Sequence, residues 1–251
     1  MIDLTQNAGF SLSFDENKLV FGSDVLVGEK SERDVEDEKS VLFDAKPGDE
    51  LLYFMNRDVR AQKDDEFWRK ANLRYDVTLI LPGKINHEFV KTYGHYHPIA
   101  EKDVTYPEIY EVIYGEAHSL QQKTEGKNVL DLKVIKASAG EKIIIPPNYG
   151  HVTINPGAEP LVLANVLERN LESDYSRFAE HGGAAFYETD AGWIQNSEYT
   201  GEKLVFAKTK KLPEFGISDL TLYASVISDP LKFRWLLYPA EYDFSDVFVS
   251  A

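Results

Sequence analysis

The sequence has no cysteine, few basic residues and no long apolar run, and each absence excludes a class of protein. Without cysteine no disulfide framework can form, and with no secretory leader visible after Met1 we expect a cytoplasmic protein. Only 27 lysines and arginines stand against 42 aspartates and glutamates, and the resulting formal net charge of −15 repels nucleic acids and anionic membrane surfaces. No run of 18 apolar residues occurs, so we expect no membrane-spanning segment.

The chain does contain enough apolar material for a large core. It has 251 residues, of which 43% are hydrophobic and 12% aromatic. At this length about 70 to 75% of the unfolded surface can be buried, so folding needs neither disulfides nor a structural metal. A metal ion bound by this chain would therefore be a functional one.

Short β-rich segments dominate the middle of the sequence and are separated by glycine, proline and asparagine. The expected strands are 75–81, 89–97, 109–114, 118–121, 129–135, 142–145, 152–154 and 161–167. Because no helical pattern lies between them, this arrangement predicts an all-β antiparallel jelly roll or barrel over residues 75–167.

The flanking segments are expected to extend this barrel within a single domain. Residues 1–74 form an N-terminal extension, in which apolar positions between 49 and 72 recur at helical intervals and predict one or two helices. Residues 168–251 form a C-terminal extension, with a short helix at 175–183 and further strands at 203–207 and 220–226. The last part, 219–251, is too apolar for a loose tail and should pack on this chain or on a partner.

Four residues in the barrel segment could share a metal ion. His95 and His97 are spaced i, i+2 in an expected strand, so their side chains leave the same face about 7 Å apart. Glu108 opens a later strand and His151 another, and a rolled sheet could bring both to the same interior point. Three imidazoles and one carboxylate leave open positions on a divalent ion, as catalytic sites do.

The turns around these residues resemble the two motifs of the cupin superfamily. His95-Tyr96-His97 and the Glu108 to Gly115 stretch resemble the first motif, and Gly140, Pro146, His151 and Asn155 resemble the second with the expected spacing. Asn148 stands where the family usually has glycine, and asparagine tolerates the left-handed backbone better than other residues. Ten residues separate His97 from Glu108, where most cupins have three or four.

The longer gap resembles one cupin branch, the archaeal-type glucose-6-phosphate isomerases. The supporting stretches, in the order and spacing of that branch, are Val77-Thr78-Leu79-Ile80-Leu81-Pro82-Gly83, Lys91-Thr92-Tyr93-Gly94-His95-Tyr96-His97, Pro107-Glu108-Ile109-Tyr110 and Pro146-Pro147-Asn148-Tyr149-Gly150-His151-Val152-Thr153-Ile154-Asn155. Two positions depart from relatives: Tyr93 stands where a lysine can occur, and Leu167 where some have tyrosine.

The resemblance implies roles for particular residues. The metal ligands would be His95, His97, Glu108 and His151. The residues that hold the substrate phosphate would be Thr78, Thr92, Gly94 and Tyr175. Tyr110 would lie beside the sugar, and Glu108 and Tyr110 would be the catalytic residues, with the hydrogen moving either through an enediolate or directly between carbons.

The function implied is metal-dependent interconversion of glucose 6-phosphate and fructose 6-phosphate, in glycolysis and gluconeogenesis, by a homodimer. One divalent metal per chain is expected, Fe²⁺ before Mn²⁺, Ni²⁺, Co²⁺ or Zn²⁺, with a small sugar phosphate as partner and neither nucleic acid nor membrane. Two alternatives use the same residues: a cupin oxygenase, and a sugar-phosphate-binding cupin without catalysis.

Overall fold

The computed structural model describes residues 1–44, 46–201 and 203–250, which are mostly β-strand. The first eight strands are β1 (Ile2–Asp3), β2 (Leu12–Asp15), β3 (Lys18–Phe21), β4 (Val25–Leu26), β5 (Glu29–Asp34), β6 (Leu51–Arg57), β7 (Arg60–Ala61) and β8 (Leu73–Ile80). The next ten are β9 (Lys84–Ile85), β10 (Glu88–Phe89), β11 (Ile99–Glu101), β12 (Val104–Thr105), β13 (Glu108–Tyr114), β14 (Glu116–Glu125), β15 (Asn128–Ser138), β16 (Lys142–Ile145), β17 (Gly150–Ile154) and β18 (Leu161–Glu168). The last five are β19 (Phe186–Thr189), β20 (Gly192–Gln195), β21 (Thr200–Gly201), β22 (Val205–Lys208) and β23 (Val249–Ser250).

Helices are few and short. The α-helices are α1 (Thr5–Ala8), α2 (Val35–Glu38), α3 (Asp65–Lys70), α4 (Ser176–Glu180) and α5 (Leu222–Ser228). The 3-10 segments are Gln62–Asp64, Pro213–Phe215, Pro230–Leu236 and Pro239–Glu241. None of the helices in the described residues is long and apolar enough to cross a membrane.

Two six-stranded sheets face each other and form the body of the fold. One has the order β16-β13-β18-β8-β6-β5, and the other contains β17-β14-β15-β22-β23 with β21 alongside β15. Val112 and Leu163 of the first sheet pack against Ala117 and Ile135 of the second in one buried cluster. The expected all-β fold is confirmed, as two packed sheets whose hydrogen-bonded strands stay separate rather than closing into one barrel.

Both extensions are tied to these sheets. β5 and β6, from the N-terminal extension, pair with each other and lengthen the first sheet beyond β8. On its outer face, Tyr75 and Ile109 share a buried cluster with Phe233 and Trp235 of the C-terminal extension. The apolar C-terminal segment therefore packs on this chain, which decides between the two alternatives left by its sequence.

The helix prediction for residues 49–72 is wrong in its first half and confirmed in its second. Leu51–Arg57 is the strand β6, which lies between β5 and β8, while α3 is helical. Phe54 packs on the outer cluster and Met55 on the inner one, so the strand carries apolar side chains on both faces. A strand covered on both sides loses the alternation that distinguishes it from a helix.

Two other expected strands differ from the structure. The 89–97 segment is a strand only at Glu88–Phe89 and then continues through isolated bridges, because Gly94 has a φ of +83° that interrupts an extended ladder. The 220–226 segment is the helix α5, which begins after Thr221, whose side-chain oxygen accepts a hydrogen bond from the Ala224 N–H at 3.2 Å. The strand expected at 203–207 and the helix expected at 175–183 are present as β22 and α4.

His118 lies on the outer face of the second sheet, away from the expected metal ligands. It is buried, and its Nδ1 lies 2.8 Å from both carboxylate oxygens of Glu188 in β19. The C-terminal extension thus covers this histidine, so it points neither toward the site nor into solvent.

A buried acidic residue at the end of α2 makes the stability of the fold depend on pH. Glu38 is completely buried, and among the described residues neither of its carboxylate oxygens has a hydrogen-bond partner. Burial raises its pKa to about 7, an effect that the nearby Lys91 ammonium only partly offsets. The folded protein therefore binds a proton here between the ordinary pKa of 4.5 and pH 7, where the unfolded chain does not.

We expect Glu38→Gln to stabilise the protein at neutral and alkaline pH. Because the folded-state pKa is raised, Glu38 costs stability progressively as pH rises from 4.5 to 7, by on the order of 3 kcal/mol above that window. Urea unfolding of the two proteins at pH 5 and pH 8 measures this. The free-energy difference should be small at pH 5 and several-fold larger at pH 8; equal differences at both pH values would contradict the account.

Candidate metal centre and substrate cleft

Three separate parts of the chain bring the four predicted metal ligands together. Glu108 is the first residue of β13 and His151 lies on β17, whereas His95 and His97 lie in the irregular segment after β10. His95 and His151 form an isolated antiparallel bridge, with N–H to O distances between donor and acceptor of 3.1 and 3.0 Å. The ligands converge as predicted, although the pair of histidines is not in a regular strand.

Gly94 allows this bridge to form. A Cβ at this position would lie 2.5 Å from Val152 Cγ2 and 3.2 Å from the His151 carbonyl oxygen. Its positive φ is also one that side chains rarely adopt. The glycine before His95 is therefore required by close backbone approach, whatever else it does.

The ligand atoms are close enough to bind a single ion. One nitrogen or oxygen from each of His95, His97, Glu108 and His151 lies within 4.8 Å of the other three. Glu108 Oε2 is 3.4 Å from His97 Nε2 and 3.2 Å from His151 Nε2. Three imidazoles and one carboxylate are donors that suit a first-row divalent transition metal.

Hydrogen bonds on the far sides of two ligands fix how they point. His97 Nδ1 lies 2.8 Å from the Tyr106 carbonyl oxygen, and Asn165 Nδ2 donates to Glu108 Oε1 at 2.6 Å. The atoms that remain, His97 Nε2 and Glu108 Oε2, are buried and have no hydrogen-bond partner in the part of the chain that the structure describes. Buried polar atoms without partners are costly, and a metal ion between them would satisfy both. The residues present therefore fit a metal ion.

The electrostatics keep the ligands in the protonation states that a metal requires. Burial lowers the pKa of His95 well below its usual value, and the neighbouring His151 and His97 lower it further. Burial also lowers the pKa of His151, against the opposing effect of Glu108. For Glu108, burial alone would raise the pKa, but the close His151 and His97 rings outweigh it and the pKa is lowered. His95 and His151 are therefore neutral and Glu108 is ionised, as metal binding requires.

The long gap between His97 and Glu108 forms a small hairpin beside the site. β11 and β12 pair within it, and Asn148 holds its end, since the Asn148 N–H donates to Thr105 Oγ1 at 2.6 Å and Asn148 Oδ1 accepts from the Thr105 N–H at 3.1 Å. Asn148 has a φ of +69°. The turn survives the replacement of glycine, and the asparagine side chain has a contact that glycine could not make.

A cleft opens from the metal ligands across the inner face of the first sheet. Its lining includes His95, Glu108 and three of the predicted substrate residues, Thr78, Tyr110 and Tyr175. Thr92 and Gly94 lie in the segment before His95 and do not line the cleft.

The hydroxyl groups of Thr92 and Tyr110, near the cleft, are protonated and can donate hydrogen bonds. Thr92 Oγ1 accepts a hydrogen bond from the Thr153 N–H at 3.1 Å. Tyr110 Oη is 3.3 Å from His151 Nε2. Burial raises the pKa of Tyr110 well above 10, and the Glu108 charge raises it further, so the phenol remains a hydrogen-bond donor.

Four polar residues on the strands that line the cleft were not found from the sequence, and neither was Ser173 in the segment after β18. Asn165, Arg57, Arg74 and Asp76 line it together with the predicted residues. Arg74 and Asp76 pair with each other at 3.0 Å. The four residues occupy alternate positions on β6, β8 and β18 and so lie on one face of the sheet. Only the strand order shows that this face adjoins the metal ligands.

Comparison with known proteins gives a family match that includes all four ligands. A family model described as "Glucose-6-phosphate isomerase (GPI)" matches residues 34–202. The chain is 30% identical over 169 residues to "Glucose-6-phosphate isomerase" of Pyrococcus abyssi, which covers 66% of this chain and 84% of the relative. It is 28% identical over 173 residues to the protein of the same description in Thermococcus litoralis, with the same coverage.

More distant similarity is also present. A "Putative glucose-6-phosphate isomerase 1" of Rhizobium meliloti is 30% identical over 130 residues, 51% of this chain and 57% of the relative. Among solved structures, a variant of oxalate decarboxylase from Bacillus subtilis superimposes with a TM-score of 0.36 and 19% identity, covering 49% of this chain and 28% of that one.

Asn165→Ala should weaken metal binding without abolishing it. Loss of the hydrogen bond to Glu108 Oε1 frees the carboxylate to rotate, and losses of this kind reduce metal affinity by about 10- to 100-fold. Competition with a coloured chelator measures the affinity. Asn128→Ala, an exposed change at the start of β15, is the matched control. Equal affinities in the two variants would show that the hydrogen bond does not position the ligand.

Proposed function

Because the chain belongs to the glucose-6-phosphate isomerase family, we propose that it is a metal-dependent isomerase that interconverts glucose 6-phosphate and fructose 6-phosphate. The observation that supports the metal dependence is the convergence of the partly buried His95 with the buried His97, His151 and Glu108, in which His97 Nε2 and Glu108 Oε2 have no hydrogen-bond partner among the described residues. The cleft that opens from these residues has polar side chains suited to a sugar.

The ligands proposed for the metal are His95, His97, Glu108 and His151. When bound, a divalent ion would hold the C1 and C2 oxygens of the sugar and polarise its carbonyl group. We propose one ion per chain, Fe²⁺ by preference, with Mn²⁺, Ni²⁺, Co²⁺ and Zn²⁺ as candidates because all accept this mixture of imidazole and carboxylate.

Glu108 and Tyr110 are the proposed catalytic residues. Asn165 holds Glu108 Oε1, so Oε2 is the oxygen that faces the metal site, and it could take a proton from the sugar only when it is not bound to the ion. The lowered pKa keeps this carboxylate ionised, as a proton acceptor must be, although it also makes it a weak base. The Tyr110 phenol, whose pKa is raised, would donate a hydrogen bond to a sugar oxygen and so orient the sugar.

Hydroxyl and backbone groups are proposed to bind the substrate phosphate. Thr78 and Tyr175 line the cleft, and Thr92 and Gly94 precede His95. Because the Thr92 hydroxyl accepts its hydrogen bond from the Thr153 N–H, its own proton is free to be donated to phosphate. Each hydrogen bond to a charged oxygen contributes about 1.5 to 3 kcal/mol.

The family also supports broader proposals. The reaction would serve glycolysis and gluconeogenesis in the cytoplasm, and the working form would be a homodimer.

Isomerase activity should require the metal. Fructose 6-phosphate conversion is measured with protein as purified, stripped with chelator, and reloaded with each candidate ion. Activity should disappear on stripping and return with at least one ion. Full metal occupancy without turnover would overturn the proposed reaction.

The matched variant for this experiment is His97→Ala. It should lose both metal and activity, while its thermal unfolding stays close to that of the parent, because the apolar core between the sheets does not include His97. A variant that retains full activity would contradict the ligand assignment.

Turnover in D₂O tests the role of Glu108 as a base. A proton that passes through the carboxylate can exchange with solvent, so deuterium should appear on carbon in the product. Mass spectrometry of the product measures the label. Complete absence of deuterium would mean that hydrogen moves directly between C2 and C1 and would leave Glu108 as a metal ligand only.

A further inference from the structure

Arg57 differs from the other arginines of the chain in having no oxygen partner. The sequence contains eight arginines. Six of them form ion pairs with carboxylates: Arg33, Arg60, Arg69, Arg74, Arg169 and Arg234. Arg177 donates to Thr124 Oγ1 at 2.8 Å and lies over the Tyr96 ring. Within the described residues the polar contact of the Arg57 guanidinium is with Met55 Sδ, at 3.9 Å.

The acidic groups closest to Arg57 along the sheet are already engaged or face solvent. Asp76 accepts hydrogen bonds from Arg74 and from the Asp58 N–H. The Asp58 carboxylate itself lies 2.9 Å from Arg60 and 2.6 Å from Arg169. Glu29 is opposite Arg57 in the strand register but is exposed and makes no ion pair with it in the described part of the chain. The Arg57 guanidinium therefore forms no ion pair within the described residues, although its charge opposes the rise that burial causes in the pKa of Asp76.

The strand register directs this charge into the substrate cleft. Met55 pairs with Thr78 across β6 and β8, and Arg57 lies two residues further along β6, on the same face as Met55. Arg57 is partly buried and lines the cleft together with Thr78, His95 and Tyr175. Arg74, the other arginine of the cleft, is held by Asp76, so Arg57 is the cationic side chain that remains available to a ligand.

We propose that Arg57 binds the phosphate group of the substrate and sets the preference of the cleft for phosphorylated sugars. The proposal rests on the proposed function, since it takes a sugar phosphate as the substrate class. A guanidinium presents parallel N–H groups that match two phosphate oxygens, and such charge-assisted pairs are among the strong hydrogen bonds of proteins. It also explains how a chain with a net charge of −15 can attract an anionic substrate, because a local positive charge outweighs repulsion that salt screens beyond about 8 Å.

The test compares Arg57→Met, Arg57→Lys and a control, Arg69→Met, in the metal-loaded protein. Arg69 lies on α3 with an exposed side chain, so its loss changes the net charge equally without changing the cleft. The measurements are KM and kcat for fructose 6-phosphate, and Kd for inorganic phosphate by calorimetry. Arg57→Met should raise both KM and Kd by about 10- to 100-fold and leave kcat within about threefold, as expected for loss of a charge-assisted contact. Arg57→Lys should lie between, and Arg69→Met should match the parent.

The other possible outcomes distinguish failure of the Arg57 assignment from failure of the isomerase proposal. An unchanged Kd for phosphate in Arg57→Met, or no phosphate binding by the parent, would overturn the assignment. A fall in kcat with unchanged KM and Kd would place Arg57 at the reacting carbons and overturn the phosphate contact. If the parent binds phosphate more tightly than Arg57→Met but turns over no sugar with any metal, the isomerase proposal fails and the Arg57 assignment stands. If Arg57→Met fails to fold, Arg57→Lys is measured in the same way. Lysine keeps the positive charge but loses the parallel N–H groups of the guanidinium, so its KM and Kd test the Arg57 assignment.

Discussion

The close packing of three imidazoles around one buried carboxylate is the constraint on which the rest of the structure depends. Glu108 is almost completely inaccessible, yet its pKa is lowered, because the His151 and His97 rings beside its carboxylate outweigh the cost of burying the charge. Asn165 holds the far oxygen of Glu108, and the Tyr106 carbonyl holds the far nitrogen of His97. What remains at the centre is a pair of buried atoms that only a further partner can satisfy.

The two sheets supply the rigidity that this arrangement needs. Glu108 and Asn165 come from adjacent strands of the first sheet, while His151 comes from the second. The irregular segment with His95 and His97 crosses between them, and Gly94 lets it approach His151 more closely than any side chain would permit. The long stretch between His97 and Glu108 forms the β11–β12 hairpin, and Asn148 holds the end of that hairpin. The long spacing between His97 and Glu108 and the asparagine at position 148 are therefore linked, because Asn148 holds the hairpin that the long spacing forms.

The sequence located the four side chains that the structure brings together better than it predicted the elements that carry them. His95, His97, Glu108 and His151 could be found because motif spacing is local and their chemistry is specific. The strand β6 was mistaken for a helix because burial on both faces removed its alternation, and α5 was mistaken for a strand because its apolar residues are consecutive. Asn165 and Arg57 could not be found, since their importance depends on which strands are neighbours. Neither residue belongs to a motif, and the register across β6, β8 and β18 is a property of the folded sheet.

The account depends most directly on a single ion held by these four side chains. Crystals of the protein reloaded with one of the candidate metals, measured at the absorption edge of that metal, would locate it by anomalous scattering. The account predicts one strong peak per chain within coordination distance of His95, His97, His151 and Glu108 Oε2, with Asn165 still bonded to Oε1. A fully loaded protein whose anomalous peak lies away from Glu108 and the three histidines would contradict it.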